Sequence, residues 1–420
     1  MTARHAIITG LGAIAPNGLG LPAYVGGLRA GTSGVRAFNH DRCASRAAAP
    51  CATFDPLTVM DTADIKRLPR LVPMALAAAQ EALAQSALAI TNDTSLRIGL
   101  ILGTGAGGID FTLDQAITTY TPTPPGEPHK HPSLWTITNA THGNLAGELS
   151  IRLGLKGPSL CMSDGCASSS DALGMALELV RANRVDAMVV IGADAHVRWE
   201  TLLGMELLGV MTKSADPATA SRPFDAHRDG FVLGEGAWAL VLERANAAAS
   251  RGAHQLGALL GYAATCDAYH RVRPAPDATE SARAMTLAID DAALTPTDIE
   301  LIHYHGTSTQ LNDALETKAV KLAFGEHAHA LKGTSVKSMI GHPQGACGAA
   351  AVVATLGALK NADAHAAGPF IPPTINLQTP DPACDLDYTP IAAAPTSART
   401  ALINCLAFGA KNSALVLQAT

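Results

Sequence analysis

Ile98-Gly-Leu-Ile-Leu-Gly103 runs into Thr104-Gly-Ala-Gly-Gly108. A short apolar run closed by glycines reads as a strand buried on both faces, of the kind found in parallel sheets. Leu301-Ile-His303 followed by His305-Gly-Thr-Ser-Thr309 repeats the plan two hundred residues later. Working outward, His5 to Gly10 reads as a strand ending on a glycine turn, and Leu71 to Leu88 as an Ala/Leu-rich helix. Pro122 to Pro132 is a loop, Ser159 to Ser163 a short strand, and Ala187 to Ile191 another. Cys166 opens a helix with apolar residues at Leu173, Ala176, Leu177 and Val180. Gly341 to Lys360 holds a second helix, whose run from Gly345 to Leu359 is almost wholly small residues and reads as buried all round. Alternating strands and helices predict an α/β fold, and the recurrence predicts two similar halves. Their boundary falls near Arg244 to Gly257, giving residues 1–250 with the cysteine and 251–420 with the histidines.

The composition excludes several classes. The 420 residues are 48% hydrophobic and 16% charged, enough for a large core and too few charges for a disordered chain. The net charge of −6 leaves no electrostatic footprint for nucleic acid. Met1 to Leu11 lacks the features of a signal peptide, and no uncharged apolar stretch is long enough to span a membrane. Eight scattered cysteines in mostly apolar surroundings fit a reduced, cytoplasmic protein better than a disulfide scaffold.

Three constellations can carry chemistry. Cys166 lies in Asp164-Gly-Cys-Ala-Ser-Ser-Ser170, between a strand and a helix. Free amides and the positive helix end favour thiolate there and could hold an oxyanion. His305 follows a buried strand, at the end of the sheet where α/β proteins place their sites, with Glu316 downstream. Lys337 and His342 precede the small-residue helix in Lys337-Ser-Met-Ile-Gly-His342; the helix start disfavours imidazolium and the lysine adds fixed charge. His303 with His305 and Cys161 with Cys166 are each spaced as a possible metal pair, but no further ligands follow either, which argues against a metal site. One cysteine with two histidines, each on a glycine-marked turn, describes thioester chemistry.

At this point the chain, from about Ile7 to Leu417, resembles the β-ketoacyl-acyl-carrier-protein synthases, the elongating condensing enzymes of the thiolase superfamily. The resemblance rests on Gly157-Pro-Ser, Cys166-Ala-Ser, Ser221-Arg-Pro-Phe-Asp, Arg228-Asp-Gly-Phe-Val-Leu-Gly-Glu-Gly236, His305-Gly-Thr-Ser-Thr, Lys337-Ser-Met-Ile-Gly-His342 and Phe408-Gly409 with Asn412. It implies a thiolase-like five-layered αβαβα fold from two similar halves, assembled as a homodimer or with a related synthase subunit. It implies a Cys166 that accepts an acyl chain, with the amides of Cys166 and Phe408 as oxyanion hole. His305 and His342 would promote decarboxylation of a malonyl thioester and stabilise the enolate that attacks the acyl group. Lys337 would tune the histidines, Glu316 support them, and Phe408 gate the pocket. Thr307 and Thr309 would hold the phosphopantetheine arm of an acyl carrier protein, beside Phe231. No separate cofactor is implied.

Further readings concern carrier contacts and departures from the family pattern. Around Asp267-Ala-Tyr-His270, Arg271 and Arg273 would meet the arm's phosphate, and Lys66, Arg67 and Arg70 would dock the acidic carrier. Asp164-Gly165 replaces the usual Thr-Ala and would raise the thiol's pKa; Ala407-Phe-Gly-Ala-Lys411-Asn replaces a more glycine-rich loop. His142 stands where the family lines its acyl pocket with apolar groups, which hints at an unsaturated or polar chain. The alternative reading is a chain-length-factor-like partner subunit, against which Cys166, His305, Lys337 and His342 all stand. A degradative thiolase lacks the Lys-His arrangement.

Overall fold

In the computed structural model, which describes residues 5–360 and 368–420, ten strands form the framework. They are β1 (Ala6–Ala15), β2 (Ile98–Gly103), β3 (Ser159–Met162), β4 (Ala187–Asp194), β5 (Gly236–Arg244), β6 (Gly257–Cys266), β7 (Leu301–His303), β8 (Lys332–Thr334), β9 (Thr400–Ala407) and β10 (Lys411–Ala419). The first five run in the order β3-β2-β4-β5-β1 and the second five in the order β8-β7-β9-β10-β6. In each set the first three strands are parallel and the last two antiparallel additions. The duplication is therefore a repeat of topology strand for strand. The two sheets are stitched where Ala6, Ile7 and Ile8 of β1 pair with Leu259, Ala258 and Gly257 of β6.

Successive residues of β4 face opposite ways, as the twofold strand period requires. Met188 and Val190 enter the central core, whereas Val189 and Ile191 enter an outer one. The outer core of the first sheet is covered by α1 (Leu71–Ser86). Between the sheets lie α2 (Ser168–Arg181) and, further along the chain, the small-residue helix Cys347–Leu359, buried at every position. The far face of the second sheet carries α3 (Thr279–Asp291) and α4 (Gln310–Phe324); the Cys347–Leu359 helix is α5. Helix, sheet, helix, sheet, helix makes five layers, as expected.

Small residues set the spacing of these layers. A Cβ on Gly348 of α5 would stand 2.5 Å from the Ser170 nitrogen of α2, so the two central helices touch backbone to backbone. The opening strand runs past Gly10, where the sequence placed its end. A Cβ there would lie 2.0 Å from the Ala82 carbonyl oxygen, so this glycine admits α1 and makes no turn. Residues 1–4, in which the expected opening stretch begins, lie outside the described residues. Among the described residues, no helix is long and apolar enough to cross a membrane.

Candidate active site

Both central helices point their N-termini at one spot, and the ends of β7 and β9 converge on it. Cys166 sits in a single 3-10 turn, Gly165–Ala167, that leads into α2, so it precedes the α-helix proper by two residues. Its Sγ lies 3.2 Å from Nε2 of His342. His342 follows the short helix Lys337–Ile340, and its N–H donates to the Val232 carbonyl at 2.7 Å. His305 follows β7, and its ring stands 5.4 Å from that of His342, nearly perpendicular. Sγ of Cys166 and one nitrogen of each histidine all lie within 4.8 Å of one another. Residues from both halves thus meet at one point.

Lys337 is 5% exposed; its Nζ donates to the His305 carbonyl at 2.7 Å and faces Nδ1 of the same ring at 3.5 Å. An ammonium only donates, so Nδ1 must accept, and Nε2 of His305 carries the proton. Glu316, on α4 and fully buried, accepts the amides of His305 (2.6 Å) and Gly306 (2.8 Å) and Nδ2 of Asn404 (2.6 Å). It thereby holds the loop that carries His305. Burial pushes this carboxyl up to about 7 against those hydrogen bonds.

Burial also decides the charges of the reacting groups. It holds both imidazoles well below their usual range, and Lys337 pushes them the same way, so both are neutral at physiological pH. The Cys166 thiol is raised to about 12, chiefly by burial, although Lys337 and the Phe408 amide directed at the sulfur pull it down. The sequence expectation of a resting thiolate is therefore corrected: desolvation outweighs the helix start. The expected role of Asp164 is corrected too. Its carboxylate is paired with Lys411 at 2.6 Å, and after burial the groups that raise the thiol are Cys405 and then Asp194.

A cavity of about 500 Å³ opens from these groups to the surface. Cys166, His305, His342, Phe231 and Phe408 line its floor, and Thr307 and Thr309, with hydroxyls 3.0 Å apart, line its wall. Arg273 reaches the cavity together with Lys213, which the sequence reading missed. His270 does not: its Nδ1 accepts the amides of Val272 and Arg273, so it shapes the turn. Arg271 is exposed beside it, its carbonyl accepting from Gly409. Lys66 and Arg67 are exposed, whereas Arg70 is committed to Glu235 and the Cys51 carbonyl. His142 packs on Gly107 and faces Ser163 at 3.3 Å, away from the lining of this cavity. His303, spaced as a possible metal partner of His305, bonds Thr355 of α5 instead.

Two further groups escaped the sequence reading. Cys347, in the first turn of α5, places Sγ 3.2 Å from Nδ1 of His342. Its spacing of five residues from His342 was the available signal. Asp194, at the end of β4, accepts from Thr104, Gly105 and Ala106 of the first glycine loop and from Gly345 ahead of α5. It ties the two halves together beneath the cysteine, and only the fold brings those partners near.

The chain matches the N-terminal domain family of β-ketoacyl synthases over residues 3–248 and the C-terminal domain family over 256–378. It is 38% identical to a 3-oxoacyl-[acyl-carrier-protein] synthase 2 of a Synechocystis species, covering 99% of this chain and 98% of that protein. Its fold superposes on a chain of a type II polyketide acyl-carrier protein in complex with its hexaketide-bound ketosynthase, with a TM-score of 0.89 and 30% identity over 99% and 100% of the two chains. The ishigamide ketosynthase/chain length factor gives a TM-score of 0.87 at 30% identity, over 99% of each chain.

Proposed function

The chain belongs to the β-ketoacyl synthase family, and from that premise we propose that Cys166, His305 and His342 carry out an elongating, decarboxylative condensation for fatty-acid or polyketide synthesis. The observation that carries this reading is the meeting of a thiol, two neutral imidazoles and an amide at the floor of an open cavity. The Cys166 sulfur attacks the carbonyl of an acyl-carrier thioester while its proton moves to Nε2 of His342. The oxyanion is held by the amides of Cys166 and Phe408, and the carrier thiol leaves with that proton. Malonyl carrier then enters, with its thioester oxygen facing the N–H at Nε2 of His305. Carbon dioxide departs, the enolate carbon bonds to the acyl carbon as the Cys166–acyl bond breaks, and the released Cys166 sulfur takes up a proton from solvent to return to the thiol. The product is a 3-ketoacyl carrier longer by two carbons.

Neutral histidines suit this chemistry, because a donor N–H stabilises an enolate without protonating it. Thr307 and Thr309 hold the phosphopantetheine arm, which brings the only prosthetic group the reading requires. Arg273 and Lys213 meet its phosphate at the mouth, with exposed Arg271 nearby. Lys66 and Arg67 dock the acidic carrier, and Arg70, already ion-paired, adds little. The edge strand β3 with half-exposed Leu160 supports pairing with a second synthase chain. Eight free cysteines support a reducing, cytoplasmic setting. A purely structural chain-length subunit is disfavoured by the complete set of Cys166, His305, Lys337 and His342.

The test is intact-mass analysis of the protein after mixing with acyl carrier thioester. Wild type gains one acyl group that malonyl carrier discharges as the 3-ketoacyl product, and Cys166→Ala gains none. Wild type that stays unlabelled with several acyl chains overturns the assignment.

A further inference from the structure

Two of the departures from the family pattern, Asp164 and Lys411, touch each other. Lys411 Nζ donates to Asp164 Oδ1 at 2.6 Å, with the side chains 40% and 25% exposed. Asp164 stands two residues before Cys166; Lys411 opens β10, three residues after Phe408. Ala407 pairs with Lys411 across β9 and β10, so Phe408, Gly409 and Ala410 form the hairpin turn between them. Ala410 adopts φ 65, a left-handed conformation that costs an alanine about 1–2 kcal/mol. A turn held in such a shape needs ties to the rest of the molecule. Beside the Phe408 N–H directed at the Cys166 sulfur and a long contact from the Cys266 thiol to the Gly409 carbonyl, two backbone hydrogen bonds hold it, Gly409 N–H to the Arg271 carbonyl and Asp267 N–H to the Ala410 carbonyl. Both run to the loop after β6. The side-chain tie from the hairpin to the nucleophile's own turn is Lys411–Asp164.

We propose that this ion pair is a clasp that sets the Phe408 amide against the Cys166 sulfur, making Asp164 and Lys411 positioning residues for acyl transfer. The proposal rests on the acyl-transfer reading above. An oxyanion donor works only at hydrogen-bond distance, and losing one outright costs about 10²–10³ in rate. Letting the turn drift without removing the amide costs less, on the order of tenfold. A direct charge effect has a different signature. Asp164 alone would raise the thiol's pKa and Lys411 alone would lower it, so removing them would act in opposite directions. A clasp loses function equally from either side.

The experiment measures the rate of Cys166 acylation by a small acyl thioester, read by intact mass, in wild type, Asp164→Ala, Lys411→Ala, the double alanine variant and the charge-swapped pair D164K/K411D. Each single variant is expected to acylate about tenfold more slowly at saturating thioester with KM unchanged. The double variant should be no slower than the worse single, and the swap should regain most of the rate. High salt should slow wild type and leave the double variant untouched, a readout that needs only proteins already folded. Single variants at the wild-type rate, or a faster Asp164→Ala beside a slower Lys411→Ala, overturn the clasp while leaving acyl transfer standing. Wild type that takes no acyl group removes the acyl-transfer reading and the clasp with it.

Discussion

Nε2 of His342 lies 3.2 Å from Sγ of Cys166, inside a pocket where the thiol is raised to about 12 and the imidazole is neutral. The pair rests as thiol and imidazole, and the nucleophile forms only as a substrate carbonyl accepts it. Alkylation by iodoacetamide, which reports the thiolate, should therefore rise about tenfold per pH unit from pH 7 to 10 with no plateau. Lys337→Met removes a charge that pulls the thiol down, so its alkylation should be slower at every pH in that range. Site-resolved mass spectrometry separates Cys166 from exposed Cys266. A plateau below pH 8 would show a resting thiolate.

Glu316 makes stability pH-dependent in a direction opposite to most carboxylates. Its folded value of about 7 lies above the ordinary 4.5, so folding favours the protonated acid. The stabilising contribution is complete below about pH 4.5 and is lost as pH rises through 7. The full span amounts to about 3 kcal/mol, at 1.36 kcal/mol per pKa unit. Glu316→Gln cannot ionise, so urea unfolding of the variant should lack this decline. The difference in unfolding free energy between the two proteins should move by that order between pH 4.5 and 8. A constant difference would mean the carboxyl titrates normally.

Gly348 is where the two central helices meet backbone to backbone. Alanine there would press its Cβ on the Ser170 nitrogen at 2.5 Å, backbone against backbone, where neither helix can yield cheaply. Overpacking of this kind costs about 1–3 kcal/mol. Gly204, in the helix Trp199–Leu207, has nothing within 4 Å of its would-be Cβ, so alanine there should be neutral or slightly stabilising through helix propensity. Thermal unfolding of the two variants side by side checks the contrast.

The layers were legible in the sequence because each depends on a periodicity that side chains impose locally. Strands buried on both faces read as apolar runs at Ile98 and Leu301, and α5 read as buried because it is nearly all Ala, Gly and Val. Cys166, His305, Lys337 and His342 were legible because each stands in a glycine-marked turn with a recognisable neighbourhood. Their protonation states were not. A helix start is visible in sequence, but the desolvation that overrides it depends on residues from both halves closing over the thiol. Asp164 was singled out as an odd charge, and its partner Lys411 as an odd loop residue, 247 positions apart. Only the β9–β10 hairpin folding back over the cysteine turn makes them one feature.

Cys347 holds the other nitrogen of His342. Its thiol is 2% exposed, lies 3.2 Å from Nδ1 and is itself raised to about 12, so it stays protonated and serves as a neutral partner to the ring. Cys347→Ala leaves Nδ1 buried with nothing to bond, at a cost of about 1–3 kcal/mol for an unsatisfied polar atom. The ring can then turn away from Cys166. The expected result is a condensation rate with malonyl carrier lower by about tenfold or more, with carrier KM little changed. Cys347→Ser keeps a hydroxyl at the same position, able to donate or accept, and should restore most of the rate. The pH profile discriminates further: in the alanine variant the Nδ1–H of His342 loses its buried acceptor, which disfavours the imidazolium, so the acid limb of condensation should move downward there and not in the serine variant. Equal loss in both variants, with no shift of the limb, would show that Cys347 only fills space.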